Sequence, residues 1–269
     1  MFRKLYYLLP PKMRFLVRRL IYLPYDLWSS KDGLKPPKSL IYTGSGDFIR
    51  QGIEWKNFFI EQGLQPNDHF LDIGSGIGRI AIGLTSYLKG DYQGFEAMEL
   101  GADWCKKNIT TNYPNFSFKH VSLHNDLYNA SGLDAATYKF EYPSASFHMA
   151  CAISVFSHMI DNEVENYLFE TFRVLKNGGK LIATFFVMDD DSLSAMSADY
   201  KGFRFDYEYE HYYLMDKNVK SANVCFKKDY LDSVIVKNGF TIQSAIRGSW
   251  FGIKNGNNLA FQDVYVLVK

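Results

Sequence analysis

Residues 69–96 restrict the fold of this chain more than any other stretch. Residues 69–73 form a short run with three apolar residues, bounded by turn-forming residues at 66–68, which is typical of a buried parallel strand. A glycine-rich turn at 74–79 and an apolar helical run at 80–84 follow it. A strand, a glycine turn and a helix in this order are the entry of a nucleotide-binding α/β unit. A second strand, residues 91–95, then ends in Glu96, a carboxylate about 20 residues past the glycines, where such folds bind ribose hydroxyls.

The spacing of the glycines favours one class of these folds. Gly74, Gly76 and Gly78 run G-x-G-x-G with Asp72 two places earlier, whereas the dinucleotide fingerprint is G-x-G-x-x-G. This pattern resembles the first motif, D/E-x-G-x-G-x-G, of the class I S-adenosylmethionine-dependent methyltransferases. The resemblance implies an α/β fold with a Rossmann-like seven-stranded sheet, mostly parallel with the last strand antiparallel, and helices on both faces. It also implies S-adenosylmethionine as cofactor, with S-adenosylhomocysteine as product.

The resemblance extends to both sides of the glycine motif. Residues 44–48, Gly-x-Gly-Asp-Phe, precede a helix expected at about 47–62 with Asp47 as N-cap, and are similar to a bacterial subgroup acting on small molecules or glycans. Ser122 stands where many relatives have an Asp that binds the adenine amino group. Leu123 is expected to pack on the adenine, and the polar side chain of Asn125 is the expected substitute for the Asp. The cofactor-binding residues implied by the family are Asp47, Phe48, Asp72, Gly74, Ser75, Gly76, Gly78, Arg79, Glu96, Ala97, Met98, Leu123, Asn125, Ile153 and Ser154.

The C-terminal half predicts the rest of the sheet. Apolar runs at 147–153 and 180–186 are the expected fourth and fifth strands, separated by a helix at 161–175 that Gly178 and Gly179 would stop. After a helix at 229–238, residues 240–246 and 260–268 predict two final strands joined by a Gly/Asn-rich loop. A terminal helix-strand-strand unit fits a final strand inserted antiparallel beside the fifth, and fits a parallel dehydrogenase sheet poorly.

Residues 188–226 are expected to be an insertion on the substrate side. Aromatic residues and His211 alternate with charged residues over 203–213, which predicts one strand with an aromatic face and a charged face. Such a face either packs on the core or forms a wall over a sugar or polyketide acceptor. Three aspartates at 189–191 are interpreted as a helix N-cap cluster rather than a metal site.

The N-terminal extension, residues 1–38, differs from the methyltransferase domain expected at 39–269. Six basic residues precede its first acidic residue, Asp26, and apolar residues from Met13 to Ile21 follow helical spacing. Peripheral contact of residues 1–30 with anionic lipid is one interpretation, and a helix docked on its own domain or on a dimer partner is the other.

Composition narrows the function classes. The net charge of +1 argues against a nucleic-acid partner, and three widely spaced cysteines without metal-ligand spacing suggest reduced thiols in the cytoplasm. The family resemblance, together with this composition, implies methyl transfer to a small-molecule, sugar or lipid-linked acceptor. O-methylation of a hydroxyl is the expected reaction, and N-methylation of an amine is the alternative. Proton removal from a hydroxyl needs a base. The candidates are His158 and His211, and the third option is that neither histidine acts as the base. A nicotinamide-dependent oxidoreductase and a non-catalytic cofactor-binding subunit are the alternatives from other classes.

Overall fold

A computed structural model of the 269-residue chain describes residues 11–28, 34–42, 44, 46–126, 131–196, 202–252 and 260–269. The first ten residues and most of the predicted Gly/Asn-rich loop, at 253–259, lie outside the described residues. The chain forms two compact units: residues 1–67 with 75–132, and residues 68–74 with 133–269. The domain boundary expected at residue 38 stays a prediction.

Seven α-helices and ten strands occur in the described part of the chain. The helices are α1 (Pro11–Trp28), α2 (Phe48–Glu61), α3 (Arg79–Leu84), α4 (Glu99–Cys105), α5 (Asp161–Val174), α6 (Asp190–Ala195) and α7 (Lys228–Lys237). The strands are β1 (Phe70–Ile73), β2 (Tyr92–Glu96), β3 (Phe116–His120), β4 (Phe147–Ala152), β5 (Leu175–Met188), β6 (Tyr207–Glu208), β7 (Tyr212–Leu214), β8 (Val224–Lys227), β9 (Thr241–Ile246) and β10 (Asp263–Val268). Short 3-10 turns cover Lys38–Leu40, Phe156–His158 and Lys220–Ala222, and a π-helical turn, Lys106–Thr110, continues α4.

The first unit pairs two parallel strands and packs two helices at very short range. Strands β2 and β3 run parallel, with Tyr92 opposite Phe116 and their rings stacked 4.8 Å apart. Helix α2 begins after Asp47, whose side chain accepts the backbone N–H groups of Ile49 and Arg50, as an N-cap does. Helices α2 and α3 approach so closely that a Cβ on Gly83 would lie 2.1 Å from the Gly52 carbonyl oxygen.

The second unit contains the part of the predicted sheet in which parallel and antiparallel strands are mixed. Strand β4 is parallel to both β1 and β5, and β10 is antiparallel to β5 and to β9. The antiparallel insertion of the final strand beside the fifth is therefore confirmed. Only three of the ten strands, β6 to β8, exceed the predicted seven, and all three belong to the insertion; β8 pairs in parallel with the end of β5.

Two local predictions are wrong. The predicted single strand over 203–213 is a short hairpin instead, with Tyr207 opposite Leu214 and Glu208 opposite Tyr213. The turn ends the common aromatic face: Phe205 is buried against Phe186 and Trp250, whereas Tyr207 and Tyr209 remain more than a third exposed. Helix α5 ends at Val174, before the glycines predicted to stop it, because Leu175 is already extended and pairs with Phe147.

Candidate cofactor site and the end of the fourth strand

Glu96 is held in one orientation at the end of β2. Its Oε2 accepts the N–H of Gly76 at 2.7 Å, and its Oε1 accepts the N–H of Met98 at 2.9 Å. Only 7% of the residue is exposed, and this burial raises the pKa of the carboxyl while the two backbone N–H groups and the Tyr42 hydroxyl oppose the rise. A carboxylate offers about four acceptor positions, so the two N–H bonds fix it and leave capacity for a diol. Ala97 and Met98, which follow it, are partly buried.

The glycine turn needs glycine for conformation and for space. Gly76 and Gly78 have φ values of 56° and 80°, in the left-handed region that side chains with a Cβ disfavour. A Cβ on Gly78 would also lie 2.6 Å from the Ile109 side chain. Within the turn the Gly78 N–H donates to the Ser75 carbonyl, and the Ser75 N–H donates to Phe95, which ties the turn to β2. The predicted glycine turn thus brings the Gly76 N–H into hydrogen-bonding contact with Glu96.

Asp72 and Gly74, at the start of the motif, belong to the second unit. Asp72 is 1% exposed, and its Oδ1 accepts the Cys151 thiol at 3.3 Å from the neighbouring strand β4. Burial raises the pKa of Cys151 well above its usual range, and the Asp72 charge adds to the rise, so this thiol stays protonated. Gly74 has a φ of 71°, and a Cβ there would meet the Val155 side chain at 2.6 Å.

The segment before α2 surrounds Arg79, the first residue of α3. The Arg79 guanidinium hydrogen-bonds to the Gln51 side chain and lies over the Phe48 ring, 4.9 Å from its centroid. A Cβ on Gly44 would lie 2.5 Å from the same guanidinium, which explains a glycine with a φ of 71° at this place. Phe48 is buried and Asp47 is exposed, with its carboxylate already bound as the helix cap. This segment therefore adjoins Arg79, directly after the glycine turn, and contact of Asp47 and Phe48 with the cofactor stays a prediction.

Leu123 and Asn125 follow β3 in the first unit. Leu123 is 7% exposed and Asn125 is partly buried. Leu123 thus has the burial expected of an apolar residue packed on a base, and the adenine contact itself stays a prediction.

The end of β4 carries a strained residue held by two other strands. Ser154, directly after the partly buried Ile153, has a φ of 58°, which is uncommon for a residue with a Cβ. Its N–H donates to the Thr184 hydroxyl at 2.7 Å, and its own hydroxyl donates to the Gln262 amide oxygen at 3.0 Å. Thr184 also donates to Gln262, at 2.6 Å. Strand β5 and the residue just before β10 therefore fix the chain where β4 ends.

The two candidate bases lie in different surroundings. His158 ends the 3-10 turn after β4, and its Nδ1 lies 2.7 Å from the carbonyl oxygen of Ser221 in the insertion. A carbonyl only accepts, so Nδ1 carries the proton and a neutral His158 has its lone pair on Nε2. The His211 ring stacks on Tyr230 at 4.1 Å, and about a third of its side chain is exposed.

Several residues at these places were missed by sequence reasoning. Gln51 is one turn into the helix that Asp47 caps, so its pairing with Arg79 follows from the predicted helix once α3 is placed. Gln262 contacts Ser154 across 108 positions, and Ser221 contacts His158 across 63 positions. No local sequence pattern predicts contacts between residues so far apart in the chain.

The residues around Glu96 fit the cofactor that the motif implies. A buried, oriented carboxylate suits a ribose diol, and a turn of glycines with positive φ lets a ligand approach the backbone. No group of three or more His, Cys, Asp or Glu side chains in the described ranges is arranged to hold a metal ion.

Comparison with known proteins places this geometry in a class. Residues 71–183 match the family described as a methyltransferase domain. Among solved structures, a protein from Pyrococcus horikoshii is 17% identical with a TM-score of 0.58, covering 85% of this chain and 94% of that one. An S-adenosylmethionine-dependent methyltransferase from Clostridium acetobutylicum is 11% identical with a TM-score of 0.55, covering 83% and 92%. One from Methanosarcina mazei is 19% identical with a TM-score of 0.53, covering 78% and 96%.

The chain thus carries a class I S-adenosylmethionine-dependent methyltransferase domain on the Rossmann-like fold of that class, and S-adenosylmethionine is its cofactor. This confirms the family, fold class and cofactor expected from the spacing of the glycine motif.

Proposed function

We propose that the protein transfers the methyl group of S-adenosylmethionine to a hydroxyl of a small-molecule or glycan acceptor, including a sugar- or lipid-linked one. The observation that carries the proposal is His158, an imidazole with a fixed tautomer just beyond the end of β4. Ligands of open α/β sheets bind at the carboxyl ends of the strands. A hydroxyl acceptor is the kind that needs a base at this edge.

In this proposal the Glu96 carboxylate binds the ribose hydroxyls, and the backbone of Gly76 and Gly78 adjoins the methionine part. Leu123 and Asn125 contact the adenine, and the cofactor contacts expected of Ile153 and Ser154 stay a prediction. The bound cofactor supplies a methyl group already activated on a sulfonium. The chain's own task is to align an acceptor oxygen with that methyl, to exclude water and to take up one proton.

His158 is suited to take that proton because of its contact with Ser221. The Nδ1–H bond to the carbonyl orients the ring and assigns the proton-accepting lone pair to Nε2. The contact also connects the base to the insertion, on the 3-10 turn Lys220–Ala222. Among the two candidates, His211 fits less well, since its ring is stacked face to face on Tyr230.

The test compares three variants against a panel of hydroxylated and aminated acceptors. His158→Ala is expected to lower kcat by about 10²–10⁴-fold while S-adenosylhomocysteine affinity stays near wild type. His158→Asn is the matched control, because its amide N–H can still donate to the Ser221 carbonyl but it has no basic nitrogen. It is expected to be as slow as the Ala variant. If His158→Asn keeps nearly full kcat, His158 only positions the insertion, and loss of activity in His211→Ala would then identify the other base.

The panel also separates the remaining functions. Turnover on amines alone would indicate N-methylation, and cofactor binding without any turnover would indicate a non-catalytic subunit.

The proposed location is the cytoplasm, with peripheral contact at the inner face of the membrane through residues 1–30. The described cysteines are buried and unbridged, which fits a reducing compartment. No described helix is long and apolar enough to cross a membrane.

A further inference from the structure

Helix α1 is attached to its own unit through its polar face. The Arg18 guanidinium hydrogen-bonds to the Ile41 carbonyl and lies 3.4 Å from that of Lys38. The Asp26 carboxylate accepts the N–H groups of Lys38 and Ser39 at 2.7 and 3.1 Å, and the Lys38 ammonium lies over the Tyr22 and Tyr25 rings. Positions 18, 22, 25 and 26 share one face of a helix. That face of α1 is therefore occupied by its contacts with residues 38–41.

The opposite face of α1 is apolar and exposed. Its residues follow the spacing of a single helical stripe, and their exposed fractions range from 46% to 95%: Met13, Leu16, Leu20, Ile21, Leu23, Leu27 and Trp28. An amphipathic helix normally buries this stripe on its own core. Here the usual arrangement is inverted, because the polar side makes the intramolecular contacts.

The charge of the segment indicates what this surface contacts. Pro11–Trp28 contains four basic residues, of which Arg18 lies on the anchored face. Its single acidic residue, Asp26, is turned to the Lys38 and Ser39 N–H groups on that same face. The exposed Arg19 lies next to the apolar stripe. Cationic residues beside a stripe of Leu, Ile and Trp are the composition of helices that lie in the interface of an anionic bilayer. Docking on an apolar protein surface would not require this excess of positive charge.

We propose that the apolar face of α1 docks on an anionic lipid surface while its polar face stays bound to residues 38–41. This defines the surface behind the proposed membrane contact and is independent of the acceptor. Residues 38–41 lead directly to Tyr42, whose hydroxyl reaches Glu96. They are followed by Gly44 and Phe48, which pack on Arg79. The lipid-bound helix thus holds the segment that adjoins the cofactor-binding carboxylate.

Flotation of the full chain with vesicles tests the proposal. Wild type is expected to float with phosphatidylglycerol-containing vesicles, less so at about 0.5 M than at about 0.1 M salt, and not with neutral phosphatidylcholine vesicles. Leu16→Glu/Leu20→Glu is expected to reduce the bound fraction at least about tenfold. Phe169→Glu on α5 is the matched control, since Phe169 is as exposed as Leu16, at 58% each, and it should float like wild type.

The double variant keeps every contact of the polar face, so its melting temperature and S-adenosylhomocysteine affinity should match wild type. Those two readouts separate loss of the lipid surface from unfolding and from loss of cofactor binding. Absence of wild-type flotation, or equal flotation of both variants, would overturn the proposal. So would a wild-type dimer that ignores vesicles and becomes a monomer in Leu16→Glu/Leu20→Glu, because the face would then bind a second copy.

Discussion

Replacing Glu96 by Gln removes the charge of the proposed ribose-binding group with little change in shape. A carboxylate that accepts two ribose hydroxyls makes charge-assisted hydrogen bonds, worth about 1.5–3 kcal/mol in total when lost. Glu96→Gln is therefore expected to weaken S-adenosylhomocysteine binding by about ten- to a hundred-fold. In the free protein the amide nitrogen of Gln must face the N–H of either Gly76 or Met98, which costs stability, while removal of a buried charge offsets that cost. The unfolding free energy should thus change less than the binding free energy.

Titration calorimetry with S-adenosylhomocysteine measures the effect, and urea unfolding of the same samples measures stability. Glu99→Gln is the matched control, because Glu99 is exposed three residues further on, in the first turn of α4, and its loss should leave affinity unchanged. Unaltered cofactor affinity in Glu96→Gln, with only the acceptor KM changed, would refute the assignment of Glu96 to the ribose.

The pH dependence of binding gives a second readout on the same variant. Burial raises the pKa of Glu96 in the folded protein, and the ribose contact needs the ionised form. Affinity should therefore fall on acidification at a higher pH than an ordinary glutamate would cause, and this limb should vanish in Glu96→Gln. The stability effect has the opposite sign: the cost of the buried charge is absent below the unfolded-state pKa and appears as pH rises through the folded-state pKa.

Three further variants probe the glycine turn, the helix packing and the second unit. Gly76→Val, at a φ of 56°, should abolish calorimetric cofactor binding while circular dichroism shows a folded protein; unchanged affinity would remove the turn from the site. Gly83→Ala should lower the unfolding free energy by about 1–3 kcal/mol in urea, because its Cβ would meet the Gly52 backbone; an unchanged unfolding free energy would contradict this close approach. Asp263→Asn should cost about 1–3 kcal/mol by the same assay, because three buried N–H groups donate to that carboxylate.

The sequence predicted the parts of the fold that local chemistry decides. The strand before the glycine turn, the Asp47 cap and the three turn glycines follow from apolar runs and from backbone conformations that only certain residues adopt easily. The family resemblance added the antiparallel final strand, which no local pattern specifies.

The insertion shows why alternation alone misleads. Period-2 spacing predicted one strand through 203–213, but the chain reverses at 209–211, where the Tyr209 N–H donates to the Tyr212 carbonyl. Alternation records which residues are suited to a pleated surface and does not record where the strand breaks. The break is set by packing: the Phe203 ring stacks on Phe186 of β5, and the Phe205 ring packs against Phe186 at a tilt. The first half of the run is therefore held on the core while the hairpin extends from it.

The expected cofactor contacts and the proposed catalytic contacts differ in how far apart their residues lie along the chain. Glu96 and Gly76 are twenty positions apart, and the spacing of a family motif encodes their meeting. Ser154 adopts its strained φ only because Thr184 and Gln262 hold it, and His158 owes its tautomer to Ser221. The insertion and Gln262, just before β10, thus bring polar atoms to the end of β4, where the acceptor chemistry is proposed to occur. A change of acceptor could therefore proceed through the insertion while the glycine turn and Glu96 stay as they are, because the described contacts of Glu96 do not involve that segment.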